Sequence, residues 1–333
     1  MRRLIVVVSA VVLWLAASVP AAATYSIVAR DPETGALGVA VQSHWFQVGT
    51  SVPWAQAGVG AVATQSFVNP AYGPKGLALM QQGVPAPQAL EWLLAQDAGR
   101  QVRQVGMIDA QGRVSAWTGE DCIEAAGHLI GDGFSVHANL MDRDTVPAAM
   151  AAAYRQALEA GVGDFAERLL LALEAAEREG GDIRGRQSAA LLIVRAEPTG
   201  EPWRDTLVDL RVDDSPQPLE ELRRLLVRHR AYDLMNAGDE AMAEEDFARA
   251  ERLYSEAAAM APEMAELPFW KAVTLYTSGR QEEALTVFRQ VFAGDEGERW
   301  VRLVPRLPAA GLLPDDPRQI ERILAVAPER LRP

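Results

Sequence analysis

The 333-residue chain carries 32 Lys and Arg against 45 Asp and Glu, a formal net charge of -13, with 49% hydrophobic residues and a single cysteine. The charge repels nucleic acid and anionic lipid at long range, so neither is expected as a partner. Cys122 has no second cysteine to pair with, so an intramolecular disulfide is excluded and stability must come from packing.

The chain opens on a leader. Arg2 and Arg3 form a basic n-region, Leu4 to Ala17 an apolar h-region broken only by Ser9, and Ala21-x-Ala23 a small-residue cleavage site: the three parts of a secretory signal peptide. The apolar run is too short for a comfortable membrane span, and no cysteine follows it to take a lipid anchor. Residues 1–23 are therefore expected to be removed, and the mature protein to be periplasmic or secreted with no membrane attachment. A cut after Ala23 exposes Thr24 with both a free α-amine and a hydroxyl, a base and a nucleophile in one residue. A cut one or two residues earlier leaves alanine in front and removes that chemistry.

Paired strands follow. Tyr25 to Arg30 and Leu37 to Ser43 flank Asp31-Pro32-Glu33-Thr34-Gly35, where Pro presets φ and Gly takes φ > 0. Gly58 to Gln65 reads as a further strand. Tyr72 to Gln82 and Pro87 to Gln96 read as helices, the second with Leu90, Leu93 and Leu94 on one face. Gln104 to Asp109 and Val114 to Thr118 flank a short hairpin turn at Gly112. Gly131 to Asn139 reads as a Gly-bent loop entering a polar stretch. Helices at Pro147 to Glu159 and Asp164 to Glu179 precede closing strands at Ser188 to Arg195 and Thr206 to Val212. This order predicts an α+β domain over 24–212, with helices packed outside two stacked sheets.

A polar, proline-bearing linker, 213–218, opens a second domain over 213–296. After an amphipathic helix at Leu219 to Tyr232, Gly238, Phe247, Ala250, Tyr254, Ala257 and Pro262 match the small and aromatic positions of a tetratricopeptide unit. A second copy at a period of 34 sets Ala272, Ala284 and Phe288 opposite Gly238, Ala250 and Tyr254 (288 - 254 = 34). Two copies fall short of the three that a free-standing solenoid needs, so they are expected to lean on the first helix and on a capping tail, 297–333. Such arrays bind extended peptides, which makes a peptide a candidate ligand of the repeats. The sequence sets no oligomeric state.

The runs Thr24-Tyr-Ser-Ile-Val-Ala-Arg-Asp-Pro-Glu-Thr-Gly35, Gly38-Val-Ala-Val41, Ala57-Gly-Val-Gly-Ala-Val-Ala-Thr-Gln65, Asn69-Pro-x-Tyr-Gly73 and Arg184-Gly-Arg-Gln-Ser-Ala-Ala-Leu191 resemble a bacterial and archaeal domain of unknown function, family 1028, grouped with the N-terminal nucleophile (Ntn) hydrolases. The resemblance implies a four-layer αββα sandwich whose first strand presents Thr24 at a sheet edge, and a hydrolase acting on an amide bond. It also brings a weak pointer to peptidoglycan as a ligand of the C-terminal segment. In the implied mechanism an α-amine of pKa ~7.7 to 8 takes the Thr24 proton as Oγ attacks a carbonyl. No cofactor is needed.

Candidate roles follow. Developing charge on the carbonyl oxygen needs fixed donors, and Asn139 is the leading side chain for that, its alternative being the cap of the next helix. Ser43 is placed to hydrogen-bond the amine, or is a polar strand end. Gln65 and Asn69, in the matching runs, are candidate substrate-binding residues. Asp182, Arg184, Arg186, Gln187 and Ser188 form a dense polar loop: a substrate or anion clamp centred on Asp182 and Arg186, or a surface loop with local salt bridges. Proteasome-like relatives carry an acid near the end of the second strand and a lysine on the next; here Gln42 stands at the acid's place, and the chain's lysines are Lys75 and Lys271. Arg103 or Arg186 would have to supply the positive field. The histidines, His44, His128, His137 and His229, lack metal-ligand spacing, so no metal site is expected. A serine triad lacks its Gly-x-Ser-x-Gly elbow. Two classes of function remain: an exported Ntn-type amidohydrolase or peptidase acting on a peptide or acylated small molecule, and a catalytically silent Ntn-fold envelope module that binds through its repeats.

Overall fold

The computed structural model describes residues 23–332, so the expected leader, Ala23 excepted, lies outside the described residues. Two units meet at Leu219/Glu220. The first is built from ten strands and four helices: β1 (Thr24–Arg30), β2 (Leu37–Ser43), β3 (Pro53–Gln56), β4 (Gly60–Ser66), α1 (Tyr72–Gln81), α2 (Ala86–Gln96), β5 (Arg103–Asp109), β6 (Val114–Thr118), β7 (Gly127–Gly131), β8 (Phe134–Asn139), α3 (Val146–Glu159), α4 (Phe165–Arg178), β9 (Ser188–Val194) and β10 (Thr206–Val212). They form a six-stranded sheet in the order β10-β9-β2-β1-β8-β7 and a four-stranded sheet in the order β3-β4-β5-β6, all neighbours antiparallel.

Period-two alternation sends each central strand's side chains to two different neighbours. Along β1, Tyr25 turns towards α4, where its hydroxyl reaches Glu177, while Ser26 turns to the other sheet and reaches Gln65 of β4. α1 and α2 pack on the four-stranded sheet, where Val62, Val105 and Met107 meet Tyr72, Leu77 and Leu90. α3 and α4 pack on the six-stranded sheet, with Phe134 of β8 against Tyr154 of α3 at 4.8 Å. Both faces of β1, β2 and β8 are consequently buried.

The stretch expected as a loop at Gly131 to Asn139 is corrected to a central strand, β8, paired with β1 along its length. Phe134, Val136 and Ala138 alternate with Ser135, His137 and Asn139, a strand pattern whose polar face is buried instead of solvated. β3 and β7 are further strands beyond the sequence reading. β7, at the sheet edge, is Gly-bounded and leaves Leu129 and Ile130 exposed.

The second unit is all-helical: α5 (Pro218–Ala243), α6 (Phe247–Met260), α7 (Glu266–Thr277), α8 (Gln281–Ala293), α9 (Gly297–Leu303) and α10 (Pro317–Leu324). α5 runs past the expected end at Tyr232 and takes in Gly238. A Cβ at Gly238 would sit 2.8 Å from the Tyr254 ring, so the glycine admits the aromatic knob and does not stop the helix. Phe288 fills the matching place in the second copy, within 5.7 Å of Phe269. Val301, Val304, Ile323 and Leu324 of the C-terminal segment join the same apolar cluster as Phe269, Tyr276 and Phe288. No helix among the described residues is long and apolar enough to cross a membrane.

Candidate active site

The space between the two sheets has an apolar end and a polar end. Val28, Val39 and Val41 meet Ala61, Ala63 and Ile108 in one part of it. Towards the start of β1 the same strands present Thr24, Ser26 and Ser43 against Gln65 and Gln104, with Ser135, His137 and Asn139 from β8, all of them buried. Unsatisfied polar groups here would each cost a few kcal/mol, and a fully bonded network instead locks one geometry. Ser26 Oγ donates to Gln65 Oε1 at 2.6 Å, and Gln65 Nε2 donates to Gln104 Oε1 at 2.7 Å. Gln104 Nε2 is directed at Thr118 Oγ1 and the carbonyls of Gly127 and Ala138.

Thr24 is where this network ends. Its carbonyl accepts from Gln65 Nε2 at 3.1 Å and from Asn139 Nδ2 at 3.3 Å, and its register partners are Ser43 on one side and Asn139 on the other. Its Oγ1 lies 3.0 Å from Ser43 Oγ. The single Ser43 hydroxyl hydrogen goes to the carbonyl of Ala23 at 2.5 Å, so Ser43 accepts from Thr24. A second donor holds that same carbonyl: Arg184 Nη2, at 2.8 Å. Asp182, its side chain fully enclosed, aims the guanidinium through bonds at 3.0 and 3.2 Å and also accepts from the Arg184 and His44 amides. Charge-assisted pairs of this kind hold orientation as well as charge.

His137 lies two residues before Asn139 on β8, opposite Ser26 of β1. Its Nδ1 is 3.1 Å from Ser26 Oγ and its Nε2 2.9 Å from Ser135 Oγ. A Cβ on Gly106 would sit 2.1 Å from the imidazole, so that glycine makes the ring's space. Burial, and next the neighbouring His128, pull its pKa down from 6.5 to about 3. Above 6.5 the imidazole is neutral folded or unfolded and the network is intact. Below 6.5 the unfolded chain binds a proton that the folded one refuses, so stability falls by ~1.4 kcal/mol per pH unit until about pH 3. His137→Gln is expected to flatten that part of the profile. Equal slopes of urea midpoint against pH for wild type and H137Q between about pH 6 and 4 would contradict it.

Backbone strain gathers at the same end. The far ends of the hairpins β1–β2, β3–β4, β5–β6 and β7–β8 turn through Gly35, Gly58, Gly112 and Gly133, each with positive φ. The loops leaving the Thr24 end use Gln47, Ser66, Ala125 and Leu140 in the left-handed region, at φ 55°, 68°, 55° and 56°. A non-glycine residue there costs roughly 1–3 kcal/mol, a burden characteristic of functional sites. Ser66 Oγ is moreover buried, beside the Cys122 thiol.

The structure gathers Thr24, Ser43, Asn139 and Gln65 around one atom group, with Asp182 acting through Arg184. Asn139 is a strand residue and does not cap a helix; its amide is directed at Thr24 O and Gln104 Oε1. Arg186 pairs with Glu177, the carboxylate that also takes the Tyr25 hydroxyl, and sits on the helix side of the sheet. Gln42 meets Tyr25 on that side too, away from Thr24. Asn69 stands apart, its side chain accepting from the Ala71 amide and lining a separate hollow of about 120 Å³ with Lys75 and Asp97. Arg103 pairs with Asp97 at 2.9 Å. The sequence reading placed Arg184 in the candidate clamp loop but centred the clamp on Asp182 and Arg186, and it missed Gln104 and His137 as members of the site. Arg184 had a signal, two positions after Asp182 in the polar loop; Gln104 and His137 had one only in their alternation with apolar neighbours.

The chain matches the family of unknown function DUF1028 over residues 24–222 and a tetratricopeptide repeat over residues 241–307. Among solved structures it is similar to the crystal structure of a DUF1028 protein from Silicibacter pomeroyi, with 32% sequence identity and a TM-score of 0.55, over 61% of this chain and 84% of that one. No curated protein matches.

Proposed function

The chain belongs to the DUF1028 family, and from the geometry around Thr24 we propose that it is an exported Ntn-type amidohydrolase or peptidase with Thr24 as its nucleophile. The observation that carries this reading is the double grip of Ser43 and Arg184 on the Ala23 carbonyl, directly beside the Thr24 hydroxyl. A carbonyl carbon on Thr24 N and one on Thr24 Oγ can share a five-membered ring, so donors placed for the first are also placed for an acyl group on the second. Helices on both outer faces of the paired sheets support the four-layer αββα form of the reading.

In the chain as described, Thr24 N is a peptide nitrogen and Thr24 is 1% exposed. Signal cleavage after Ala23 makes that nitrogen an amine of pKa ~7.7 to 8, removes the carbonyl and frees Ser43 and Arg184. The amine then takes the Thr24 proton, directly or through Ser43, as Oγ attacks the substrate carbonyl. Arg184 stabilises the oxyanion; the amide C–N bond breaks, the leaving amine receives the proton, and water hydrolyses the ester. Arg184 serves as a fixed charge and not as a base. The substrate class is an amide in a cell-wall peptide or an acylated small molecule, and the repeats hold a peptide or peptidoglycan strand.

The test is the mature N-terminus. Intact mass of exported protein is expected to place it at Thr24, and leader-retaining protein to be folded and inactive. A dominant start at Ala22 or Ala23 would sink the nucleophile. One observation favours the second reading, a silent binding module: Gln42 replaces the supporting acid, and the lysines, Lys75 and Lys271, lie on α1 and α7. That start, with the fold intact, is its expected result.

A further inference from the structure

In the second unit several arginines have a carboxylate: Arg249 pairs with Glu244, Arg280 with Glu251 and Glu283, Arg299 with Glu296 and Arg322 with Glu282. One hollow gathers arginines that do not. A cavity of about 480 Å³ between α9 and the C-terminal residues is lined, among the described residues, by Arg302, Arg306, Arg330 and Arg332 against one carboxylate, Glu298. Among the described residues no side-chain hydrogen bond or ion pair engages Arg302, Arg306 or Arg330, and Arg332 donates to the Ala327 carbonyl at 3.0 Å. The floor is apolar, with Val301 and Leu324 buried beneath the charges. In an adjoining hollow that shares Arg302 and Arg306, the Trp300 indole N–H is buried with no acceptor.

Unpaired guanidiniums held together repel one another, and each presents a planar fork that fits a carboxylate. An extended polyanion is disfavoured here, because a chain of net charge -13 repels it wherever it runs past the patch. A short ligand feels only the local field, since charges beyond ~8 Å are screened at physiological salt. The cavity has the size of a small-ligand site, room for a few residues and not for a duplex or a bilayer. We propose that this hollow binds a short acidic peptide segment, its carboxylates on Arg302, Arg306 and Arg330 and an apolar side chain on Val301 and Leu324. An acceptor entering beside Trp300 satisfies its stranded N–H.

Fluorescence anisotropy of the full chain with a labelled Glu-Leu-Glu-Glu-Leu-Glu peptide tests this, with the same peptide carrying Lys for Glu as control. Saturable binding is expected for the acidic peptide alone, weakening several-fold between about 50 and 200 mM salt. The double variant Arg302→Gln, Arg306→Gln is expected to lose roughly tenfold or more in affinity. Both side chains are exposed, so an unchanged melting curve checks the fold; Arg100→Gln, in the first unit, should leave binding as it is. Binding equal in wild type and the double variant overturns the proposal, as does equal binding of the Lys peptide or none at all. Tighter, Arg302-dependent binding of phosphatidylglycerol vesicles or a single-stranded oligonucleotide assigns the patch to a different ligand and overturns it too.

Discussion

Thr24→Ala is expected to abolish covalent labelling of the mature protein by a β-lactone or an epoxyketone-type probe, a loss of at least ~100-fold relative to wild type. On the proposed start at Thr24 the adduct in wild type should be confined to that residue among all hydroxyls, because its oxygen alone would have an α-amine on its own residue, with Arg184 freed from the Ala23 carbonyl next to it. Labelling should rise with pH through the amine's ~7.7 to 8. Thr24→Ser keeps the hydroxyl and is expected to label at an altered rate. Loss of the Thr24 hydroxyl removes one buried bond to Ser43, about 1 kcal/mol, while Gln65 and Asn139 still hold the main chain, so T24A should remain folded. Arg184→Gln is expected to slow labelling by roughly a hundred- to a thousandfold, the worth of one oxyanion donor, with the adduct still on Thr24. Adduct spread over unrelated residues, or none with several probe classes, would favour the silent binding module.

Arg168→Met is expected to be strongly destabilising to the first unit. Arg168 Nη2 donates to Asp31 Oδ1 at 2.8 Å, each side chain is only 2% exposed, and Arg168 Nη1 reaches the Gly163 carbonyl at 3.1 Å. Asp31 in turn accepts from the Thr34 hydroxyl and amide in the β1–β2 turn. Removing the cation strands a buried carboxylate, which costs about 3–5 kcal/mol. For a domain of this size that lowers the melting temperature by roughly 6–20 °C. Asp31→Asn in the same background is expected to recover part of the loss by neutralising the stranded charge and keeping the turn. A shift below about 2 °C for R168M would show that water reaches the carboxylate, against the burial in the structure.

How far the candidate site could be read depended on which face of a strand a residue occupies. Thr24 was legible from the Ala21-x-Ala23 site before it and Ser43 from its place at the end of an apolar strand, and the β1–β2 register brings them opposite one another. Asp182 was legible from the density of polar residues around it. Arg186 and Arg184 were not separable, since two positions in a loop give no direction; the structure turns one to Glu177 and the other to Ala23. Asn139 drew attention as a polar residue after glycines, in a stretch that reads as a loop and that the structure makes a central strand. Thr24 itself was expected at a surface and is buried behind Ala23.

Local pattern alone determined most helices, the β1–β2 and β5–β6 hairpins, and the 34-residue repeat that sets Tyr254 and Phe288 in equivalent grooves, because these depend on periodicity and turn chemistry within a short stretch. Tertiary structure decided the rest. Ser135, His137 and Asn139 form a buried strand face only because Ser26 and Gln104, distant in sequence, bond His137 and Asn139 while Ser135 bonds His137, and a buried polar strand is stable only when such partners arrive together. The same long-range pairing, between β1, β2, β8 and the loop at Asp182, places Arg184 beside Thr24, a juxtaposition of residues 160 positions apart (184 - 24 = 160) that no local rule encodes.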